Sequence, residues 1–158
     1  MLIYKYMKII LILLFLTFTI QCHSPNKINN NLNDKIIQDI KNESFNENLL
    51  ITYLYLKKVR FMDIIIKQAK LETGNFKSKL FKHGNNLFGM RFPRKRDTYA
   101  YKKIYNHAKY YHWTESVDDF IFFLKYNKIE KYDDYYEFLI NVKYAENKDY
   151  VKVLKSMK

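Results

Sequence analysis

One carboxylate in this chain has a position suited to acid–base chemistry. Polar residues recur at spacings of three and four within residues 59–73, which predicts a helix with a single solvated stripe. These residues are Arg60, Asp63, Lys67 and Lys70. At about 100° per residue, Glu72 lies about 180° from Asp63 and therefore faces away from the stripe. Because burial raises the pKa of a carboxyl group, Glu72 is a candidate general acid; the simpler alternative is a partly exposed glutamate at a helix end.

The chain has only three glycines, and all of them follow Glu72 within one short stretch. They are Gly74, Gly84 and Gly89. Glycine is typical of positions where the backbone needs a positive φ or a close approach to another group. Gly74 predicts the C-terminal cap of the helix that carries Glu72, and the other two predict a turn beside the site. Their spacing is not that of a phosphate-binding loop.

Mostly helical elements must hold this site in place. Apolar residues at helical spacing predict further helices around residues 36–40, 49–54, 117–124, 133–139 and 150–157. Thr114 or Ser116 is expected to cap the third of these helices. Asp118 and Asp119 are expected in its first turn, where negative charge stabilises a helix.

A small β-hairpin is expected between the helices. Residues 98–104 and 108–113 alternate and are rich in tyrosine, which predicts two strands that turn at Asn106 and His107. A basic loop with the sequence RFPRKR, residues 91–96, precedes them and is either solvated or a contact for anionic groups of a ligand. The expected fold class is therefore mainly α, with a minor β part (α+β).

Two strings around the candidate acid resemble a known family. They are QAKLETGNFKS, residues 68–78, and NNLFGM, residues 85–90. Both are similar to the core of the endo-β-N-acetylglucosaminidase family of bacterial cell-wall hydrolases, a domain also found in flagellar-rod muramidases. The resemblance continues through residues 92–96 and 111–120 to Tyr144 and Tyr150, and covers roughly residues 49–157. It implies a lysozyme-like fold with a small β-lobe beside a cleft, in which Glu72 protonates the glycosidic oxygen.

The resemblance leaves the second catalytic group open. The family commonly carries a second carboxylate in the β-lobe to activate water, but the matching region reads TYAY, residues 98–101, without an acid. Asp97 and Glu115 are the nearest candidates; their simpler roles are the start of a loop or strand and the first turn of a helix. Alternatively, the substrate's N-acetyl group assists, or the sugar's 6-hydroxyl attacks as in lytic transglycosylases. In both of those cases Glu72 carries the acid and base steps almost alone.

The resemblance also implies where a glycan binds. Asn86 and the backbone at Phe88 and Gly89 match the family's cleft-lining turn. Three aromatic residues are candidates either for stacking on sugar rings or for core packing, namely Tyr110, Tyr111 and Trp113. Strand alternation predicts that one of the two tyrosines points outward. The histidines have no metal-ligand spacing, so we expect neither a metal nor a cofactor.

The N-terminus has the features of an export signal. Lys5 and Lys8 precede an apolar run over residues 9–20, which is short for a membrane span of roughly 20 residues. The single cysteine, Cys22, follows this run where bacterial lipoproteins are lipidated, so residues 1–22 are expected to be a lipoprotein signal. A cleaved signal, an uncleaved anchor and a chance apolar segment are the alternatives. Residues 23–33 predict a polar tether, and residues 34–158 the glucosaminidase-like domain.

The formal net charge of +12 is a weak guide to the partners of this protein. Lysine is abundant together with Asn, Ile, Tyr and Phe, the residues that AT-rich coding favours. An exported chain meets lipid headgroups and wall polymers, so nucleic-acid binding, which rests on charge alone, is not expected. The leading hypothesis is a monomeric, membrane-anchored endo-β-N-acetylglucosaminidase of the bacterial cell envelope that cleaves peptidoglycan glycan strands. A muramidase, a lytic transglycosylase and an inactive peptidoglycan-binding lipoprotein are the alternatives.

Overall fold

The computed structural model describes residues 25–157, with side chains from residue 30 onward. The expected signal segment, residues 1–22, and its Cys22 lie outside the described residues and stay predictions. Within the described part of the chain, no helix is long and apolar enough to cross a membrane. The chain divides into two units, Met1–Ile40 and Lys41–Lys158.

The described part of the first unit is a single helix, α1 (Pro25–Ile40). It covers most of the expected polar tether, residues 23–33, and also the helix predicted around residues 36–40. The domain boundary expected at residue 34 falls inside α1, and the role of this segment as a tether stays a prediction.

The second unit is built mainly from helices. They are α2 (Glu47–Leu56), α3 (Met62–Thr73), α4 (Lys79–Gly84), α5 (Trp113–Tyr126), a 3₁₀ helix (Ile129–Lys131), α6 (Tyr135–Asn141) and α7 (Tyr150–Ser156). Between α4 and α5, β1 (Lys102–Ile104) and β2 (His107–Lys109) form a two-stranded antiparallel sheet. This arrangement confirms the predicted fold class, a mainly α, lysozyme-like domain with a small hairpin.

The hairpin is shorter than predicted, and its turn lies one residue earlier. Ile104 pairs with His107, which leaves Tyr105 and Asn106 as the two turn residues. Their φ angles are 49° and 63°. Two-residue hairpin turns often need positive φ at both central positions, because that backbone follows the twist of the strands. The predicted turn at Asn106 and His107 was therefore wrong by one position.

Helix α3 begins later than the predicted residue 59. The Val59 amide donates to the Leu54 carbonyl of α2 at 3.1 Å, so residue 59 belongs to the turn that closes the preceding helix. Phe61 then has a left-handed φ of 58° and accepts the first α3 hydrogen bonds, from Ile64 and Ile65. A left-handed residue interrupts a right-handed helix, which separates α2 from α3.

Helix α5 is capped by His112 and not, as predicted, by Thr114 or Ser116. The backbone of His112 is extended, and its side chain accepts a hydrogen bond from the Thr114 amide. Ser116 is fully buried, and its hydroxyl accepts from the Leu87 amide at 3.3 Å. Its hydroxyl therefore links α5 to the segment that follows α4.

The two aspartates of α5, Asp118 and Asp119, form buried ion pairs with distant parts of the chain. They were expected in the first turn of the helix, but they lie in the second turn and are buried. Asp118 pairs with Lys57 at 2.9 Å. Asp119 accepts two hydrogen bonds from the Arg96 guanidinium, at 2.9 and 3.0 Å, and one from the Tyr110 hydroxyl at 2.7 Å. Arg96 thereby ties the end of the basic loop to α5.

The core of the second unit is rich in aromatic rings. The largest fully buried side chains include Trp113, Tyr53, Tyr110, Tyr135, Phe88, Phe120 and Phe138. Phe88 stacks on Phe120 of α5 with ring centroids 4.0 Å apart and planes 11° apart. This contact fixes the segment after α4, which carries Gly89, against α5.

Candidate active site

Helix α3 presents Glu72 at its last turn. The helix ends at Gly74, whose left-handed φ of 54° allows the Asn75 amide to donate back to the Lys70 carbonyl at 2.8 Å. The Thr73 hydroxyl donates to the Ala69 carbonyl at 2.6 Å, which stiffens the same turn. The glycine cap predicted from the sequence is confirmed.

A cleft of about 490 Å³ opens beside Glu72. Two chain segments supply most of its lining, one from Phe88 to Pro93 and the other after α6, and His107 of β2 also contributes. The lining residues are Glu72, Phe88, Gly89, Met90, Arg91, Pro93, Arg96, His107, Phe123, Val142, Lys143, Tyr144, Ala145 and Glu146. The hairpin therefore does reach the cleft, and Phe88 and Gly89 are among its lining residues, while their contact with a glycan stays a prediction.

The Glu72 carboxyl group has a distinct environment for each of its oxygens. Oε1 accepts a hydrogen bond from the Tyr150 hydroxyl of α7 at 2.6 Å. Oε2 lies against Gly89, where a methyl group on the glycine would come within 2.7 Å of it. Burial raises the pKa of Glu72, while the Tyr150 hydrogen bond and the nearby His107 partly oppose that rise. A carboxyl group with a raised pKa holds its proton closer to neutral pH, as a general acid must.

Neither predicted second carboxylate reaches this cleft. Asp97 is exposed and is not among the lining residues. Glu115 lies in the first turn of α5, where its Oε2 accepts from the Tyr111 amide at 2.8 Å. Among the described lining residues, the carboxylate besides Glu72 is Glu146, which pairs with Arg91 at 2.9 Å. That pair joins the two chain segments that line the cleft.

The predicted sugar-stacking rings separate into buried and exposed residues. Tyr110 and Trp113 are buried, at 0% and 2% exposure, so their structural role is core packing and a stacking role does not fit this structure. Tyr111 is 71% exposed and stacks on Tyr101 with ring centroids 3.7 Å apart. The predicted alternation of the two tyrosines is confirmed, and Tyr111 is not among the residues that line the cleft.

Asn86 does not line the cleft but stabilises the turn that does. Its side chain is buried and donates to the carbonyls of Met90 and Ala108 at 2.9 and 2.8 Å. Its carbonyl oxygen accepts from the Met90 amide at 3.0 Å. Asn86 therefore closes the turn that carries Phe88 and Gly89 and joins it to β2.

Several residues around Glu72 were not assigned a role from the sequence. Tyr150 and Tyr144 appeared only as parts of the family resemblance, and Glu146 was not singled out. Tyr144 donates from its hydroxyl to the Phe88 carbonyl at 2.5 Å, a second link between the lining segments. Sequence spacing gives no signal for such contacts, because Tyr150 lies 78 residues from Glu72. Within the described residues, no group of three or more His, Cys, Asp or Glu side chains could hold a metal ion.

A half-buried carboxyl group with a raised pKa, set in the cleft of a lysozyme-like domain, is compatible with glycoside hydrolysis. The family comparison gives the same class. The model of the glucosaminidase family, described as mannosyl-glycoprotein endo-β-N-acetylglucosaminidase, matches residues 54–158, and this chain belongs to that family. Membership supports a glycoside hydrolase that acts on peptidoglycan. No significant match was found among curated proteins or among solved structures.

Proposed function

We propose that this protein is an exported endo-β-N-acetylglucosaminidase that cleaves the β-1,4-linked glycan strands of peptidoglycan, with Glu72 as the general acid. The observation that carries the proposal is the placement of Glu72 in the cleft, with its pKa raised by burial and one oxygen held by Tyr150. Family membership supports the substrate class.

In the proposed reaction, protonated Glu72 gives its proton to the glycosidic oxygen as the bond from that oxygen to the anomeric carbon breaks. The leaving sugar departs as an alcohol, and positive charge develops on the anomeric carbon and the ring oxygen. The Glu72 carboxylate that remains is stabilised by the hydrogen bond from Tyr150. Water then attacks the anomeric carbon, and its proton returns to Glu72.

The cleft geometry favours a reaction in which Glu72 acts without a second protein carboxylate of the predicted kind. Asp97 and Glu115 do not line the cleft, and Glu146 is exposed and paired with Arg91. Assistance by the substrate's N-acetyl group fits this arrangement, because the sugar itself then stabilises the anomeric carbon. Attack by the sugar's 6-hydroxyl also fits and would make the protein a lytic transglycosylase.

Digestion of purified peptidoglycan by the full-length chain tests the proposal. Reducing N-acetylglucosamine ends, identified by mass spectrometry, are expected. Reducing N-acetylmuramic acid ends would instead identify a muramidase, and anhydro ends a lytic transglycosylase. Glu72→Gln is expected to abolish cleavage while the protein stays folded, whereas Glu130→Gln, at an exposed position, is expected to leave it unchanged. Full activity of Glu72→Gln would contradict the assignment of the acid.

A second candidate function is a peptidoglycan-binding protein without turnover. The observation that favours it is the absence of Asp97 and Glu115 from the cleft lining. Such a protein would sediment with insoluble peptidoglycan and release no new reducing ends during long incubation. Product formation that depends on Glu72 would exclude this candidate.

We further propose that Cys22 is lipidated and anchors the protein in the cell envelope. The support is the sequence alone, a basic start and a short apolar run that ends at the single cysteine. Metabolic labelling with a radioactive fatty acid is expected to label the wild-type chain and not Cys22→Ala. Equal labelling of both chains would contradict the proposal.

A further inference from the structure

The amide of Gln68 is fully buried one helical turn before Glu72. The two residues are four positions apart on α3 and therefore lie on the same side of the helix. Gln68 Oε1 accepts a hydrogen bond from the Tyr135 hydroxyl of α6. Its Nε2 atom has no hydrogen-bond partner among the described residues. Buried polar groups in folded proteins are nearly always paired, so an unpaired amide beside a candidate acid requires an explanation.

The Gln68 amide belongs to a cluster that includes two other tyrosine hydroxyls, those of Tyr144 and Tyr150. Tyr135 donates to Oε1, which fixes the orientation of the amide and leaves Nε2 on the other side. Gln68 lowers the pKa of both Tyr144 and Tyr150, which is the direction expected of an amide hydrogen near a phenol oxygen. Burial remains the largest influence on both hydroxyls and raises the pKa of each.

The two amide hydrogens of Gln68 match the two free acceptor positions on the hydroxyl oxygens of Tyr144 and Tyr150. Tyr150 has one hydroxyl hydrogen and gives it to Glu72, and Tyr144 gives its own to the Phe88 carbonyl. Both phenol oxygens can then act only as acceptors, and the Gln68 amide has two hydrogens to offer. Nε2 makes no hydrogen bond to either oxygen in this structure, and the amide or the rings would have to rotate to form one.

We propose that Gln68 is a positioning residue, which holds the Tyr150 hydroxyl so that its hydrogen always points to Glu72 Oε1. A Tyr150 hydroxyl that occupies Oε1 as a donor leaves Oε2 as the oxygen that carries the acid proton. Oε2 is the oxygen beside Gly89 in the cleft lining. Gln68 thus selects the oxygen of Glu72 that delivers the proton. The effect of this selection on catalysis rests on the proposed function.

Gln68→Met tests this role, because methionine has a similar length and no hydrogen-bonding group. With Tyr150 no longer held as a donor, the ionised form of Glu72 loses stabilisation and its pKa rises. The basic limb of the activity profile is expected to move to higher pH, with kcat about tenfold lower and KM within about twofold of wild type. Tyr150→Phe is expected to act in the same direction, and adding Gln68→Met to it should have no further effect.

Two variants separate positioning from simple packing. Ile65→Val removes one buried methylene from the same helix and is expected to lower thermal stability without moving the pKa of Glu72. Gln68→Met leaves the Tyr135 hydroxyl buried without its acceptor. The double variant Gln68→Met with Tyr135→Phe also removes this hydroxyl, so no buried donor is left unpaired there. This double variant is expected to recover stability and still show the shifted pKa.

The decisive measurement is a direct titration of Glu72, which requires no turnover. The full-length chain, labelled with ¹³C in the glutamate carboxyl groups, is titrated by NMR, and Glu72→Gln identifies the Glu72 signal. A higher Glu72 pKa in Gln68→Met supports the inference even if the protein cleaves no glycan, an outcome that would overturn only the proposed function. An unchanged pKa, with or without loss of activity, overturns the inference.

Discussion

Glu72 and Gly89 are in such close contact that no side chain fits between them. A methyl group added to Gly89 would lie 2.7 Å from Oε2 and 3.5 Å from the carboxyl carbon of Glu72. Gly89 also has a left-handed φ of 61°. A side chain at position 89 would therefore require the Glu72 carboxyl group to move.

Gly89→Ala is expected to remove most of the activity, because the added methyl group displaces the carboxyl group of Glu72 from its position. Gly74→Ala is the matched control, since Gly74 has a similar φ of 54° but nothing within 4 Å of the added carbon. Both variants should lose about 1 kcal/mol of stability through backbone strain. Glycan cleavage and urea denaturation measure the two effects, and equal activity of the two variants would contradict the importance of this contact.

Glu72→Gln is expected to be more stable than wild type at neutral pH. Burial raises the pKa of Glu72 above its ordinary value of 4.5, so the folded state binds the proton more tightly than the unfolded state. The wild-type protein therefore loses stability as pH rises from 4.5 through the pKa of the folded state. The total loss is about 1.4 kcal/mol for each unit by which the folded pKa exceeds the unfolded pKa. Glutamine has no such loss.

Thermal unfolding of both proteins at pH 4 and pH 7 measures this difference. The melting temperature of Glu72→Gln relative to wild type should increase between the two pH values. An exposed exchange, Glu130→Gln, should show no comparable change. A difference that is the same at both pH values would mean that the carboxyl group is not penalised by burial.

Asp119→Asn is expected to destabilise the fold by about 3–5 kcal/mol, because it leaves the Arg96 guanidinium without its buried counterion. The side chains of Arg96 and Asp119 are 8% and 0% exposed. Arg94→Ala, in the exposed part of the same loop, should change the free energy of unfolding by less than about 0.5 kcal/mol. Urea denaturation distinguishes these outcomes, and a small effect of Asp119→Asn would show that the pair adds little.

Glu146→Gln is expected to keep cleavage within about threefold of wild type, because its carboxylate is exposed and neutralised by Arg91. The pair should contribute less than about 1 kcal/mol to stability, as a double-mutant cycle with Arg91→Ala would measure. The relevant kinetic measurement is kcat on peptidoglycan. A loss of a hundredfold or more would instead identify Glu146 as the group that activates water.

The sequence predicted the helix of Glu72 and its glycine cap because the signals for both are local. The polar stripe of α3 and the glycine cap lie within one continuous segment, and periodicity is sufficient to place Glu72. The partners of Glu72 were not predictable in this way, since Tyr150 arrives from α7 and Glu146 from the segment after α6. Their positions depend on how helices pack, which residue spacing does not encode.

The burial of Asp118 and Asp119 was not predictable either, because it also depends on how distant parts of the chain pack. They were expected in the first turn of a helix, where the helix dipole favours negative charge. Lys57 and Arg96 cover them from distant parts of the chain, which makes burial of the charges tolerable. Tyr110 and Tyr111, which directly follow β2, were partly predictable, because alternation of an extended chain requires one inward and one outward ring but does not say which.

The packing of Trp113 gives this protein a built-in optical probe. It is the only tryptophan in the chain, and its indole Nε1 donates to the Glu43 carbonyl at 3.2 Å, with Phe45 and Tyr53 in edge contact around the ring. Its fluorescence emission therefore reports on one place, the contact of residues 43–45 with the start of α5. Because Trp113 is not among the cleft-lining residues, a change in emission on adding glycan would signal motion transmitted through the core, not direct contact with a sugar.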